Sequence, residues 1–122
     1  MPSEQVISSD AFFSMLGLAM RAGLLTTGED GVKKAVAAGK ALLLLVDEGA
    51  SANTKKLFAD ACAYYGVPLW LTQRERLGLA MGRPGRMSAA IGRGPLGDKL
   101  LVLAQKETGM MPVASPAKSG KA

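Results

Sequence analysis

The chain alternates short apolar runs with stretches in which apolar and polar positions recur at helical spacing. The longest apolar run, Ala41 to Val46, leaves no polar position for solvent, so it predicts a central strand covered on both faces. Apolar positions three or four residues apart predict helices with one buried face. The predicted helices span residues 10–21, 29–38, 52–65, 73–81 and 96–105, and the predicted strands span residues 24–27, 41–46, 67–71 and 87–91.

This order of elements predicts the fold class. Strands that alternate with helices of this length are typical of an α/β domain with helices on both faces of its sheet. A chain of 122 residues is expected to form one such domain, over residues 9–107. We predict a flexible arm over residues 1–8 and a disordered tail over residues 108–122, which has no apolar periodicity. In the third helix, Tyr64 and Tyr65 are predicted on the core face.

Composition narrows the function. The chain has no histidine and a single cysteine, Cys62, which we expect to be a buried and inert thiol. Histidine catalysis, histidine metal ligands, a cysteine zinc site and an internal disulfide are thereby excluded. We therefore predict a protein that is not an enzyme and that uses no cofactor or metal. The longest apolar run is too short to cross a bilayer and the N-terminus lacks a signal-peptide pattern, so we predict a cytoplasmic protein without a membrane partner.

Charge is distributed unevenly along the chain. Residues 1–50 hold four Lys and Arg against six Asp and Glu, a net charge of −2, whereas residues 51–122 hold eleven against four, a net charge of +7. Four arginines, Arg76, Arg83, Arg86 and Arg93, precede Gly97 with no acid among them. A clustered basic segment favours a polyanion such as nucleic acid, although an ordinary solvated surface gives the same pattern.

The turn at Gly28 is the strongest local candidate for a binding site. Glycine lets a backbone approach a ligand, and the N-terminus of the following helix offers free N–H groups. Glu29 and Asp30 would repel phosphate there, but carboxylates accept hydrogen bonds from the amino groups of exposed bases. Lys33 or Lys34, one turn later, would then hold a phosphate. The alternative is a capped helix with solvated lysines.

Two further motifs have weaker functional interpretations. Residues 92–97 spell G-x-G-x-x-G, but a dinucleotide fingerprint requires a later strand ending in an acid, and here the chain becomes a tail first. We interpret these residues as a turn. Asp47 and Glu48 end the central strand without an evident third ligand or partner, so a solvated turn is favoured over a metal or acid–base site.

The order of these segments resembles the L7Ae family of ribosomal and RNA-binding proteins, and most closely its bacterial YlxQ-like branch. The resemblance covers roughly residues 9–105 and depends on several short segments in a fixed order. These are Leu16–Ala19, Arg21–Gly23, Gly28–Asp30 with Lys34, Gly39–Ala41, Asp47–Glu48, Ala50–Ser51, Asn53–Lys56, Tyr64–Tyr65, Val67–Pro68, Leu77–Gly78 with Ala80 and Gly82, and Asp98–Leu100.

The resemblance implies a three-layer α/β/α sandwich around a mixed, four-stranded sheet, and binding of structured RNA stems, typically kink-turns. In the family, a glycine turn contacts tandem G·A pairs, a lysine on the next helix supports it, and a loop before the last strand covers an extruded base. Those positions correspond here to Gly28, Glu29, Asp30, Gly31, Lys34 and the loop from Arg83 to Arg86.

One departure from the family pattern affects the interpretation. The usual Asn-Glu pair of the turn falls on Asp30 and Gly31, so an amide donor and a whole side chain are missing. We predict a monomer that binds structured, ribosomal or kink-turn-like RNA through the residues Gly28, Glu29, Asp30, Gly31, Lys33, Lys34, Arg83, Arg86 and Arg93. The alternative is a protein-interaction module on the same fold that has lost kink-turn readout.

Overall fold

The computed structural model describes residues 6–109, in which strands and helices alternate along the chain. The strands are β1 (Val6–Ile7), β2 (Leu25–Thr27), β3 (Ala41–Asp47), β4 (Leu69–Thr72) and β5 (Ser88–Gly92). The helices are α1 (Asp10–Arg21), α2 (Glu29–Ala37), α3 (Ala52–Tyr65), α4 (Arg76–Ala80) and α5 (Pro95–Thr108). The helices predicted from the sequence are all present, and the largest shift of a starting residue is in α4, which begins three residues later than expected.

The strands form one mixed sheet in the order β1-β4-β3-β5-β2. β3 is central, as its apolar sequence predicts. It pairs with β4 in parallel and with β5 antiparallel, while β2 pairs antiparallel with β5. β1, β2, β3 and β4 therefore all finish at one end of the sheet, where β5 begins. We call this the carboxyl end, and we call the opposite end the amino end.

Helices cover both faces of the sheet, which confirms the three-layer α/β/α sandwich. One face packs against α1, α4 and α5 through a core that includes Phe12, Leu16, Leu43, Leu45, Trp70, Leu77 and Leu100. The other face packs against α2 and α3 through Val32, Val36, Leu44, Val46, Phe58 and Cys62. Residues 43–46 send alternate side chains into the two cores, and this is why the strand needs no polar position.

The sheet has a fifth strand, so the predicted count of four is wrong, and so is the flexible arm for residues 6–8. Val6 and Ile7 pair in parallel with β4. The backbone N–H groups of Ser8 and Ser9 donate to the Glu107 carboxylate at 2.7 and 3.1 Å. A two-residue strand has no periodicity to detect, and its anchor lies about a hundred residues away in the sequence, so local patterns do not reveal it.

Arg76 joins this N-terminal segment to the rest of the domain. Its guanidinium donates to the Ser8 carbonyl at 2.8 Å and to the Asp10 carboxylate at 2.7 Å, and its carbon lies 4.5 Å from the Phe13 ring centroid. Of the four arginines in the basic segment, Arg76 is therefore occupied in holding the fold.

We expect Arg76→Ala to lower the free energy of unfolding by about 1–2 kcal/mol, since it removes charge-assisted hydrogen bonds and a cation–π contact at a partly buried site. Arg83→Ala is the matched control, because Arg83 is exposed in a loop, and it should change stability by less than about 0.5 kcal/mol. Urea unfolding of both variants measures the difference. Equal stability of the two would contradict the anchoring role.

Two other expectations need correction. Tyr64 and Tyr65 are 79% and 49% exposed and do not form a core face. Tyr64 lies about 200° around the helix from the buried Cys62, and Tyr65 is the last residue of α3.

The final helix continues to Thr108, which is buried and belongs to α5. The rest of the predicted tail, from residue 110 onward, lies outside the described residues. No helix in the described part is long and apolar enough to cross a membrane.

Candidate nucleic-acid interface

The turn between β2 and α2 lies at the carboxyl end of the sheet. Gly28 has a φ of 90°, a conformation that favours glycine, and no side chain caps the helix that it begins. The first N–H groups of α2 are therefore free of a side-chain acceptor. Because Thr27 pairs with Ala89, the turn lies beside the start of β5.

This turn and the arginine loop before β5 touch each other. A Cβ built at Gly28 would lie 3.4 Å from Nη1 of Arg86. The β2–α2 turn therefore places the half-buried backbone of Gly28 next to an exposed guanidinium at the carboxyl end of the sheet. This contact joins the two segments that the sequence singles out separately.

The loop from Arg83 to Arg86 is held on α4 by close backbone packing. Arg83 N–H donates to the Gly78 carbonyl at 2.8 Å, and Arg86 N–H donates to the Arg83 carbonyl at 3.1 Å. A Cβ at Gly78 would lie only 2.7 Å from the Arg83 carbonyl oxygen and 3.0 Å from the Gly85 nitrogen. Glycine at position 78 is thus required for the loop position, and both arginine side chains extend into solvent.

The exposed residues of α2 divide between two faces. Asp30 and Lys34 are four residues apart and share one face, as do Glu29 and Lys33 on another. The face of Glu29 borders α3, because Glu29 lines an open groove between the two helices. The α3 residues that line this groove are Asn53, Thr54, Lys56, Leu57 and Asp60. Gly31 is packed closely against β2, with its built Cβ 3.0 Å from the Thr26 methyl group. A larger residue at position 31 would have to displace Thr26.

Asp47 has a structural role at the carboxyl end, and the prediction of a solvated turn is wrong for it. Its side chain is fully buried. One carboxylate oxygen accepts from the Gly49 N–H at 2.6 Å and the other from the Glu75 N–H at 2.7 Å. Glu75 has a φ of 68°, unusual for a residue other than glycine, and the Asp47 bond holds it in that conformation.

Arg74 is an exposed cation at the carboxyl end that the sequence interpretation did not single out. A Cβ built at Gly49 would lie 3.2 Å from Nη1 of Arg74, so this exposed guanidinium covers the turn after β3. The available signal was topological, because Arg74 follows β4, and parallel strands finish at the same end of a sheet. Charge clustering alone did not separate it from other surface cations.

A cavity of about 210 Å³ lies between α4, the end of β3 and the arginine loop. Its walls combine a buried carboxylate with apolar and backbone groups. The lining residues are Asp47, Glu75, Gly78, Leu79, Pro84, Gly85, Arg86 and Met87. The loop therefore covers a space of mixed polarity immediately beside the Gly28 turn.

Arg93 lies at the opposite end of the sheet, so its predicted place beside Arg83 and Arg86 is wrong. The strand β5 separates them, with Ser88 opposite Val46 at the carboxyl end and Gly92 opposite Ala41 at the amino end. Five residues of strand span roughly 16 Å, more than one side chain can reach across.

The remaining candidates have structural roles. Burial raises the pKa of the Cys62 thiol to about 12, so it stays protonated at neutral pH, in agreement with an inert thiol. Gly97 packs against the Gly92 carbonyl, so the G-x-G-x-x-G residues form a tight strand-to-helix turn. Within residues 6–109, no group of three or more acidic or cysteine side chains is placed to hold a metal ion.

Comparison with known proteins identifies the family. The model of the ribosomal protein L7Ae/L30e/S12e/Gadd45 family matches residues 10–102, nearly the whole described domain. The chain belongs to this family. The match covers β2, β3, β4 and β5 and the turns at the carboxyl end, and it excludes β1, which is the strand that the resemblance had not implied.

The relatives are bacterial proteins of the YlxQ branch. The RNA-binding protein YlxQ of Bacillus subtilis (strain 168) is 38% identical over 98 residues, which cover 80% of this chain and 98% of that protein. YlxQ of Enterococcus faecium is 35% identical over 82 residues, covering 66% and 80%.

Solved structures share the fold. A protein with unknown function from Bacillus halodurans C superposes with a TM-score of 0.74 at 35% identity, covering 80% of this chain and 99% of that one. The Giardia lamblia 15.5kD RNA binding protein superposes with a TM-score of 0.71 at 20% identity, covering 84% and 92%, and at that identity it supports the fold alone.

Proposed function

We propose that this protein binds structured, internally looped RNA at the carboxyl end of its sheet, as a binding protein rather than an enzyme. The observation that carries the proposal is the contact between the Gly28 turn and Arg86. It combines an uncapped helix N-terminus, an accessible backbone and a cationic loop in one surface. Membership of the family and the RNA-binding relatives support the same ligand class.

Each part of the surface has a distinct task in this proposal. Arg74, Arg83 and Arg86 neutralise phosphates, which provides affinity that does not depend on sequence. Asp30 accepts hydrogen bonds from base amino groups, with Lys34 on the same helix face holding a nearby phosphate. Lys33 extends the positive charge toward α3. The cavity under the arginine loop accommodates an extruded base, the role of the corresponding loop in the family.

The readout of this surface departs from the family pattern. Gly28 and Lys34 are kept, but Asp30 provides acceptors only, and Gly31 provides no side chain and packs on Thr26. We therefore propose recognition of kink-turn-like shapes through backbone, charge and the base cavity, with fewer base-specific hydrogen bonds. A cytoplasmic, monomeric protein acting on or near the ribosome remains the prediction.

A protein-interaction module is the second candidate. Exposed acids stand among the cations at the carboxyl end, including Glu29, Asp30 and Glu75. Their repulsion of phosphate weakens any RNA contact that depends on charge alone. The same mixture of charges suits a protein partner with complementary ion pairs.

Arg83→Ala combined with Arg86→Ala tests the proposal. We expect the double variant to lower affinity for a kink-turn RNA roughly 10- to 100-fold, and to reduce the magnitude of its salt slope by about two units if each arginine holds one phosphate. Lys34→Ala should cost less, because one charge is lost, and Asp30→Ala should change selectivity among RNA shapes. Fluorescence titrations with kink-turn, duplex and single-stranded RNA at several salt concentrations measure these effects.

Lys99→Ala is the control, since it removes an exposed cation near the start of α5, which begins at the opposite, amino end of the sheet. It should change affinity less than twofold. If all three RNAs bind weakly and equally, and neither the double arginine variant nor Lys34→Ala alters binding, the surface does not bind RNA. The protein-interaction candidate would then be favoured.

A further inference from the structure

The amino end of the sheet has a charge pattern unlike that of the carboxyl end. Four connections meet there, over residues 22–24, 38–40, 66–68 and 93–94. Together they carry two cations, Lys40 and Arg93, and no acid. The start of α5, at the same end, adds one exposed acid, Asp98, and one exposed cation, Lys99. The carboxyl end, in contrast, mixes its cations with several carboxylates.

Lys40 and Arg93 both lie at this end, directly next to β3 and β5. Each is the next residue beyond a pair of neighbouring strand positions, Ala41 and Gly92, that face each other across β3 and β5. Both side chains are exposed, and neither has an acidic partner within residues 6–109. Two exposed cations without acidic partners attract the phosphates of a polyanion.

Both tyrosines of the chain lie at the same end, where α3 finishes. Their rings are 4.8 Å apart in an edge-to-face pair, and Tyr64 is 79% exposed. Tyr64 follows Asp60 by four residues, so it lies on the side of α3 that borders the α2 groove, and Lys40 follows α2 by three residues. An exposed aromatic ring at the same end of the sheet as two unpaired cations can stack an unpaired base of a strand whose phosphates those cations hold.

We propose that the amino end is a second RNA-contact surface that takes an unpaired RNA strand, with phosphates on Lys40 and Arg93 and a base stacked on Tyr64. This surface is separate from the one at the carboxyl end, because the seven residues of β3 hold the two ends roughly 20 Å apart. Both surfaces can therefore be occupied at once, and one molecule would hold a structured RNA and a single-stranded segment together.

Titration of the full chain with a fluorescent 12-nucleotide adenylate tests this surface. Lys40→Ala with Arg93→Ala should weaken adenylate binding about tenfold and reduce the salt slope by about 1.4 units, for two phosphate contacts on a single strand. Arg83→Ala with Arg86→Ala removes the same charge at the other end and should change adenylate affinity less than twofold. The two double variants should show the opposite ranking for a kink-turn RNA.

Variants of Tyr64 test base stacking without changing the charge of this surface. Tyr64→Ala should weaken adenylate binding roughly fivefold or more through lost stacking, whereas Tyr64→Phe, which keeps the ring, should bind like the unmodified chain. Thermal melting confirms that each variant is folded, and Lys40→Gln with Arg93→Gln replaces the alanine pair if that pair does not fold.

Three results would overturn the proposal: no adenylate binding by the unmodified chain, equal weakening by the two double variants, or no effect of Tyr64→Ala. Equal weakening would mean diffuse attraction by net charge, and an inert Tyr64 would mean that no base stacks there. Loss of kink-turn binding alone would contradict only the surface at the carboxyl end, so the two proposals fail independently.

Discussion

We expect Asp47→Ala to lower the free energy of unfolding by about 3 kcal/mol, because it removes a fully buried carboxylate and leaves two part-buried backbone N–H groups, those of Gly49 and Glu75, without their acceptor. For a domain of this size the melting temperature should fall by roughly 10–20 °C. Glu75 is the residue most affected, since its positive φ is favoured only while the bond to Asp47 persists. Urea unfolding at neutral pH provides the free energy.

Asp60→Ala is the matched control, since Asp60 makes an exposed ion pair with Lys56 at 3.0 Å. The chemical change is the same, but exposed pairs of this kind contribute at most about 0.5 kcal/mol. Asp47→Asn keeps one acceptor oxygen and should fall between the two alanine variants. If Asp47→Ala costs no more than Asp60→Ala, the buried carboxylate does not organise the carboxyl end.

The sequence was informative where a pattern is local and repeated. The apolar run of β3 predicted a strand covered on both faces, and its central place in the sheet is confirmed. Helix positions followed from periodicity. In the structure Ser9 and Ser51 cap α1 and α3, and their hydroxyls accept from N–H groups in the first turns of these helices. The order of the short motifs predicted the family, which the match to residues 10–102 confirms.

Local sequence patterns did not predict the long-range contacts. β1 is held in place by Glu107 and Arg76, which are distant in sequence. Its two residues are too few to show a strand pattern, so the sequence did not predict it. Asp47 looked like a turn residue because its partner, Glu75, joins it only through the parallel pairing of β3 and β4. Arg93 was misplaced because the cations were grouped by their positions in the sequence. Between Arg86 and Arg93 the strand β5 takes the chain to the other end of the sheet.

The mixed charge at the carboxyl end bears on how the proposed RNA surface would work. Glu29 and Asp30 flank the Gly28 turn, while Arg86 touches it. Attraction and repulsion of phosphate then partly cancel within a Debye length of about 8 Å at physiological salt. Binding there would rest more on shape, backbone hydrogen bonds and the base cavity than on net charge, which favours selectivity for structured RNA over long-range attraction.

Gly78→Ala tests whether RNA binding needs the position of the arginine loop, because it changes no charge at this surface. In a helix, glycine to alanine normally stabilises by roughly 1 kcal/mol. At position 78 we expect the opposite sign, a loss of about 1–2 kcal/mol, because the new Cβ would stand 2.7 Å from the Arg83 carbonyl oxygen and force the loop away from α4. No charge changes, so any loss of RNA affinity reports the position of Arg83 and Arg86.

We expect Gly78→Ala to weaken kink-turn RNA binding about tenfold, against a full charge loss of 10- to 100-fold for the double arginine variant. Gly17→Ala is the control for strain on α4 itself, because its built Cβ lies 3.3 Å from the Ala80 carbonyl oxygen of α4, whereas none of its nearest atoms belongs to the arginine loop. It should leave affinity within twofold. If Gly78→Ala folds and binds kink-turn RNA like the unmodified chain, the loop does not need its observed position, and the cavity beneath it cannot be where an extruded base is held.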